Sequence, residues 1–116
     1  IESGVFKADG VSVNVANYYS NDESHAYAQR LLGQLKHTPA LGYVIDTSRN
    51  GNGTTGISQW CNPAGRLLGR APEITSDRSG HDGYLWIKKP GASDGTCGGG
   101  PAAGQWWLDR ALELAR

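Results

Sequence analysis

The segment "ALGYVIDTSRNGNG", residues 40–53, determines the fold class. Its first part, residues 40–46, is a short apolar run without regular alternation, which is typical of parallel strands covered on both faces. A polar, glycine-rich loop follows the run at once. In α/β proteins the loops after the carboxyl ends of parallel strands carry the binding and catalytic residues. The segment therefore predicts a buried strand with a candidate site directly after it.

Two more strands and two longer helices are predicted around this strand. Residues 11–18, "VSVNVANY", alternate between apolar and polar side chains, and residues 83–88, "GYLWIK", form another buried-type run. Polar residues 20–22 can cap a helix over 23–36, and Pro101 can begin a terminal helix. The predicted apolar stripes of the two helices contain Tyr27, Leu31 and Leu35, and Leu108, Ala111, Leu112 and Ala115.

The succession of elements predicts an α/β fold. A short helix beginning at Pro63 completes the order strand, helix, strand, short helix, strand, helix. Such alternation favours parallel strands joined by crossover helices, with the polar loops after the strands on one face. Three strands leave two sheet edges unpaired. We therefore expect the 116 residues to form part of a larger fold.

Composition and charge exclude several classes of partner. Lysine and arginine number 11, and aspartate and glutamate also number 11, so no net field favours nucleic acid or an anionic membrane surface. The sequence contains no apolar run long enough to span a membrane. We expect neither nucleic acid nor membrane as a partner.

The two cysteines, Cys61 and Cys97, both lie in or beside glycine-rich loop regions. A metal site needs more ligands, and the three histidines are scattered without ligand spacing, so no metal is expected. A disulfide is the favoured interpretation, and it implies an oxidising compartment and a secreted protein. Two buried free thiols remain the alternative.

The segment "GNGTTG", residues 51–56, matches the letters of a dinucleotide-binding motif. That motif works only where the glycines lead directly from a strand into a helix, whose amino terminus binds pyrophosphate. Here four residues separate the segment from Asp46, and no helical pattern follows. A dinucleotide site is therefore disfavoured, and no cofactor is expected.

Four segments together resemble one family: "NVANY" (14–18), "YVIDTSRNGNG" (43–53), "WCNPAGRLLG" (60–69) and "LWIKKPGASDGTCGGGPAAGQWW" (85–107). Their order and spacing resemble the C-terminal part of the catalytic domain of glycoside hydrolase family 6, the cellulases, and most of all its bacterial endoglucanase-like members. The resemblance implies that residues 1–116 are three strand–helix units of a distorted, incomplete TIM-like α/β barrel. It also implies hydrolysis of β-1,4-glucan with inversion.

The resemblance assigns catalytic roles to two aspartates. From local sequence alone, Asp94 is better interpreted as an aspartate that caps a turn before Gly95. The resemblance reverses that preference, because Asp94 matches the family aspartate proposed as the base, or as part of a water relay to it. Inversion needs this carboxylate to face a general acid about 6.5–9.5 Å away. Asp46 is expected to support the site, paired with Arg49 three residues later.

Further residues are expected to bind β-1,4-glucan. Trp60 matches a family tryptophan that stacks on a glucose ring, and indole faces suit the apolar faces of pyranoses. Lys88, Arg49, Asn14 and Tyr18 match residues of the cleft. Cys61 and Cys97 match a family disulfide that would hold the Trp60 loop against the Asp94 loop. The remaining tryptophans are expected to pack, with Trp86 in the core and Trp106 and Trp107 at the start of the last helix.

Two features depart from the family. In "PGASDG", residues 90–95, Ala92 replaces a family glutamate that contacts sugar, and the family's acid-bearing loop has no counterpart in residues 1–116. We therefore expect this segment alone neither to hydrolyse glucan nor to fold stably as a monomer. It should need the upstream half of the domain or a second copy. The alternative function is that of a non-catalytic or weakened glucan-binding homologue.

Overall fold

The computed structural model describes residues 8–35, 41–53, 60–75 and 80–116. Residues 36, 40 and 54–56, which belong to elements and motifs predicted above, lie outside these ranges. Within them, the elements in chain order are β1 Gly10–Val13, α1 Asn21–Leu35, β2 Gly42–Asp46, β3 Glu73–Ile74, β4 His81–Leu85, a 3₁₀ turn Cys97–Gly99 and α2 Leu108–Leu114.

The described strands form one mixed sheet in the order β1-β2-β4-β3. β1 and β4 both pair with β2 in parallel, with Val13 opposite Ile45 and Ile45 opposite Tyr84. The predicted α/β fold and its three parallel strands are therefore confirmed. The short β3, which lies where the sequence predicted no strand, pairs antiparallel with β4. The carboxyl ends of β1, β2 and β4 consequently meet at one edge, which we call the carboxyl edge.

Several predicted boundaries are wrong for local reasons. β1 ends at Val13 instead of residue 18, because Asn14 and Ala16 adopt left-handed φ angles of 63° and 60° that turn the chain. The helix predicted from Pro63 is absent from the described residues, where turns and extended chain follow instead. α2 begins at Leu108 because the chain before it is extended, with an antiparallel bridge between Ala92 and Trp106.

The core lies between α1 and the sheet. Its buried cluster contains Val13, Ala28, Tyr43, Ile45 and Tyr84. The predicted cap of α1 is confirmed, since the Glu23 N–H donates to Ser20 Oγ (3.2 Å), although the helix begins at Asn21, two residues earlier than predicted. The predicted stripe is wrong, because Ser24 and Ala28 face the sheet while Tyr27 is 52% exposed. Small residues on this face let the helix approach the tyrosines of the sheet.

The terminal helix buries a different face from the one predicted. Leu108 and Leu112 are exposed, whereas Arg110 and Leu114 are buried. The stripe failed because the neighbours of α2 include main-chain carbonyls, which a guanidinium satisfies and a leucine cannot. In the part of the chain described, no helix is both long enough and apolar enough to cross a membrane.

Candidate active site

Asp46, the last residue of β2, joins the loops at the carboxyl edge. Its Oδ1 accepts the N–H of Ser48 (2.8 Å), and its Oδ2 accepts the N–H groups of Lys88 (2.9 Å) and Ala16 (3.3 Å). These donors follow β2, β4 and β1, so one buried carboxylate connects three loops. The predicted pair between Asp46 and Arg49 is wrong, because main-chain donors occupy this carboxylate and Arg49 points to a different acid.

That acid is Asp94, whose side chain is 4% exposed. Its Oδ2 accepts the Tyr18 hydroxyl (2.6 Å), an Arg49 Nη1 hydrogen (2.9 Å) and the Asn62 N–H (3.0 Å). Its Oδ1 also accepts from Arg49 Nη1 (2.9 Å), and Lys88 Nζ lies 3.4 Å away. The donors come from the loops after β1, β2 and β4, and from the loop of Asn62. Asp94 is thus the point on which these loops converge.

The surroundings keep this carboxyl group ionised. Burial acts to raise the pKa of Asp94, but the hydrogen bonds from Arg49, Tyr18 and Asn62 together outweigh it and hold the pKa below its usual range. Burial, followed by the hydrogen bond to Asp94, raises the pKa of Tyr18 well above its usual range. Asp94 is therefore a carboxylate at neutral pH, and Tyr18 stays a neutral donor beside it.

Arg49 and Tyr18 form one stacked unit. The Arg49 guanidinium lies 4.4 Å from the centroid of the Tyr18 ring, and both side chains are buried. Arg49 Nη2 also donates to the carbonyl of Ala16 (2.6 Å). The planar guanidinium therefore has partners on the tyrosine face, the main chain and Asp94, and these fix its direction.

The predicted disulfide between Cys61 and Cys97 is confirmed, with their Cα atoms 6.2 Å apart. Cys61 lies between Trp60, which is 67% exposed, and the buried Asn62, which donates to Asp94. The bridge thus connects the loop that carries an exposed indole to the loop that carries the buried carboxylate.

Asn14 takes a structural position at the carboxyl edge. Its Nδ2 donates to the carbonyls of Asp46 (3.0 Å) and Tyr19 (3.1 Å), and its Oδ1 accepts the Tyr19 N–H (3.0 Å). The side chain therefore stabilises the turn after β1 and reaches the β2 main chain. Its polar atoms are used within the protein.

The other tryptophans differ from expectation. Trp86 is 36% exposed and not a core residue; its Nε1 donates to the carbonyl of Arg70 (2.9 Å). Trp106 is also exposed, although its ring packs on Gly91, where any side chain would clash with it. Trp107 is half-buried and lies just before α2. The expectation of packing therefore holds in part for Trp106 and Trp107.

Sequence reasoning missed two residues of this site. Asn62 donates directly to Asp94, and Arg110 binds the carbonyl of Asn62. The local signal for Asn62 was weak, because the sequence shows only that asparagine tolerates left-handed φ angles. In the structure this residue has a φ of 48°. Arg110 gave no local signal, because it lies outside the apolar stripe predicted for the terminal helix.

The fold and the site together describe an α/β protein with a buried, charged carboxylate at the carboxyl edge of its parallel strands. The model of the family "Glycosyl hydrolases family 6" matches residues 2–116. The chain therefore belongs to glycosyl hydrolase family 6.

Individual relatives agree with this assignment. The chain is 52% identical over 109 residues to endoglucanase A of Cellulomonas fimi, covering 94% of this chain and 23% of that protein. It is 41% identical over 116 residues to endoglucanase 1 of Streptomyces sp. (strain KSM-9), covering 99% of this chain and 31% of the relative. The chain thus spans about a quarter to a third of the length of these relatives.

A solved structure shows the same fold. The endoglucanase Cel6 from Mycobacterium tuberculosis, in complex with methyl-cellobiosyl-4-deoxy-4-thio-β-D-cellobioside, superposes with a TM-score of 0.85 at 47% identity. The match covers 97% of this chain and 38% of the solved chain. The mixed sheet and its helices are therefore those of a family 6 structure.

Proposed function

We propose that the protein containing this chain hydrolyses β-1,4-glucosidic bonds in cellulose or a related β-glucan with inversion. The chain supplies the base-side carboxylate, Asp94, and sugar-binding loops. The observation that carries the proposal is the burial of Asp94 among Arg49, Lys88 and Tyr18 at the carboxyl edge. The endoglucanase relatives, and the cellobioside-type ligand bound to the solved structure, support a glucan substrate.

The environment of Asp94 defines what this carboxylate contributes. An inverting enzyme needs a carboxylate on the water side of the sugar, opposite the general acid. A carboxylate with a lowered pKa is a weak base, but it stays charged. In this proposal Asp94 therefore orients the attacking water, directly or through a second water. Its carboxylate accepts the proton that the attacking water releases, by the same route, and its charge stabilises the positive charge that develops on the sugar.

Two side chains near Asp94 are suited to contact sugar. Trp60 is exposed enough to present an indole face to a pyranose ring. Lys88 is partly exposed at 3.4 Å from Asp94, so its remaining hydrogens can reach sugar hydroxyls. Tyr18, Asn14 and Arg49 are proposed to act indirectly, because their polar groups bind Asp94 or the main chain. Asp46 supports the loops in the same indirect way.

The rest of the catalytic unit is proposed to come from outside residues 1–116. Asp46, the other predicted acid of the carboxyl edge, accepts hydrogen bonds from three main-chain N–H groups. Its carboxylate is therefore occupied by the main chain and is not assigned as the general acid. The general acid is therefore assigned to the upstream half of a TIM-like barrel. That half, or a second copy, would also cover the edge of β1 that is unpaired in the described sheet. The disulfide supports a secreted protein working in an oxidising environment.

The proposal is tested in the full-length protein with Asp94→Asn. We expect hydrolysis of a soluble β-glucan to fall by about 10²–10⁴-fold, because the charge on the water side is lost. Affinity for a cello-oligosaccharide should change little, since Trp60 and its loop remain. The matched variant Trp60→Ala should instead weaken oligosaccharide binding. Release of reducing sugar and calorimetric binding measure the two effects, and full turnover in Asp94→Asn would contradict the assignment.

The second candidate is a non-catalytic or weakened glucan-binding homologue. Ala92, which stands where the family has a sugar-contacting glutamate, is buried and bridges Trp106 through the main chain. A charged contact to sugar is therefore missing from this loop. This candidate predicts that the wild-type protein binds cello-oligosaccharides without releasing sugar, and that Asp94→Asn changes neither property.

A further inference from the structure

Asn62 contacts Asp94 at two points. Its N–H donates to Asp94 Oδ2 (3.0 Å), and its Oδ1 accepts the Asp94 main-chain N–H (2.9 Å). One residue thus holds both the carboxylate and the backbone of Asp94. Because a main-chain donor does not rotate like a side chain, this contact also sets where the carboxylate points.

The Asn62 side chain also ties down the loop that carries Asp94. Its Nδ2 donates to the carbonyls of Gly95 (2.8 Å) and Cys97 (2.9 Å), on the far side of the acid from the β4 strand. Asn62 is buried, and its φ of 48° is left-handed. Such a backbone conformation needs support from its surroundings, although asparagine adopts it more readily than most residues.

Arg110 of α2 provides that support. This buried arginine donates from Nη1 to the Pro63 carbonyl (2.6 Å) and from Nη2 to the Asn62 carbonyl (2.8 Å). Its guanidinium lies 5.0 Å from the centroid of the Trp107 ring, and Glu113 is 3.9 Å away. The rigid fork of the guanidinium fixes two successive carbonyls, which a single ammonium group cannot do in the same geometry.

We propose that Asn62 is the positioning residue for Asp94, and that Arg110 holds Asn62 in place from the terminal helix. The inference rests on the proposed function, since it assigns the orientation of the same carboxylate. In this proposal α2 acts on catalysis indirectly. Arg110 of α2 fixes the Asn62 carbonyl, Asn62 fixes Asp94, and Asp94 orients the attacking water. Orientation of this kind affects turnover more than substrate binding.

The test uses the full-length protein with Arg110→Lys and Asn62→Gly. Lysine keeps the charge but loses the planar fork of two nitrogens that reaches both carbonyls, and glycine keeps the left-handed backbone but loses the amide contacts. We expect each variant to lower kcat at least about tenfold while KM stays within about twofold. Arg116→Lys is the matched control, because Arg116 is exposed just beyond α2 and should keep wild-type kcat.

A second readout separates positioning from general loosening of the fold. If Asn62 and Arg110 orient the donors around Asp94, both variants should move the acid limb of the kcat profile upward by about half a pH unit or more. The carboxyl resonance of Asp94, identified by its loss in Asp94→Asn, should titrate at higher pH in the same variants. A lower melting temperature with unchanged kcat, acid limb and titration would overturn the inference.

The outcomes distinguish this inference from the proposed function. If Asp94→Asn is fully active, the proposed function has failed, whatever the other variants do. If Asp94→Asn is inactive while Arg110→Lys and Asn62→Gly keep wild-type kcat, only the positioning role has failed. If the protein binds glucan without turnover, the titration of the Asp94 carboxyl still decides whether Asn62 and Arg110 control it.

Discussion

The last residue of β2 and the loop after β4 each supply a buried aspartate at the carboxyl edge, but different kinds of donor hold the two carboxylates. Asp46 accepts the main-chain N–H groups of three loops. Asp94 accepts mainly from side chains, those of Arg49, Lys88 and Tyr18. Main-chain donors cannot move without moving the fold, whereas side-chain donors can adjust when a ligand or water arrives. The first arrangement suits a structural acid, and the second suits an acid that takes part in chemistry.

The variant Asp46→Asn tests whether Asp46 is the structural acid, and it should have the largest effect on stability. The amide would place N–H hydrogens against at least one main-chain donor, and the charge-assisted bonds of the remaining oxygen would weaken. We expect the free energy of unfolding of the full-length protein to fall by about 4 kcal/mol. Activity per folded molecule should fall far less. Chemical denaturation, combined with turnover of the folded fraction, measures both quantities.

Asp82→Asn provides the control for that variant. Asp82 lies on the same sheet, near the amino end of β4, and is exposed. Its substitution should change the free energy of unfolding by less than about 0.5 kcal/mol. If Asp46→Asn were as stable as Asp82→Asn but inactive, Asp46 would be the chemical acid and the comparison would be reversed.

Removal of the disulfide tests whether the Asp94 loop depends on a covalent connection. A chain-entropy estimate for the 36-residue separation of Cys61 and Cys97 gives a loss of about 3.8 kcal/mol. The variant Cys61→Ser/Cys97→Ser should therefore unfold at lower denaturant and turn over more slowly, because Asn62 and Trp60 adjoin Cys61. Dithiothreitol should reproduce both effects in the wild type and leave the double variant unchanged. An unaltered denaturation midpoint would show that the loop is held by hydrogen bonds alone.

Local patterns predicted the parts of this molecule that depend on local sequence. The apolar runs at residues 40–46 and 83–88 and the alternation over residues 11–18 predicted parallel strands, which placed Asp94 at the carboxyl edge. The role of Asp94 in catalysis came from resemblance to the family. β4 begins at His81, two residues before the predicted apolar run, because His81 pairs in parallel with Tyr43 of β2.

The errors concern contacts between segments that are distant in the chain. Arg49 was paired with Asp46 because they are three residues apart, yet its partner is 45 residues away. No role was predicted for Arg110, because nothing in its own segment shows that the carbonyls of residues 62 and 63 lie opposite it. Such partners are set by the sheet order and the disulfide, so they become visible only in the folded chain.

The variant Tyr18→Phe tests one of the side-chain donors that hold Asp94, and it has the smallest expected effect on stability. Phenylalanine keeps the ring under the Arg49 guanidinium and removes only the hydroxyl that donates to Asp94 at 2.6 Å. The loss of one hydrogen bond to a charged acceptor should lower the free energy of unfolding by about 2 kcal/mol at neutral pH. Tyr19→Phe is the matched control, since Tyr19 is exposed at the next position and should change neither stability nor turnover.

The pH dependence of this variant follows from the lowered pKa of Asp94. Stability from a carboxyl group with a lowered pKa is complete above its unfolded-state pKa, near 3.8, and is lost as the pH falls through the folded-state pKa. Without the Tyr18 hydroxyl the pKa of Asp94 rises towards its ordinary value, so less of this stability exists at neutral pH and the acid limb of activity moves to higher pH. Tyr18 itself adds no alkaline limb near neutrality, because its own raised pKa keeps it protonated there. Denaturation and turnover measured from pH 3 to pH 8 test whether the acid limb moves and whether an alkaline limb is absent near neutrality. An acid limb that stays at its wild-type position in Tyr18→Phe would mean that Arg49 and Lys88 alone control the charge on Asp94, and that the tyrosine serves only to support the guanidinium.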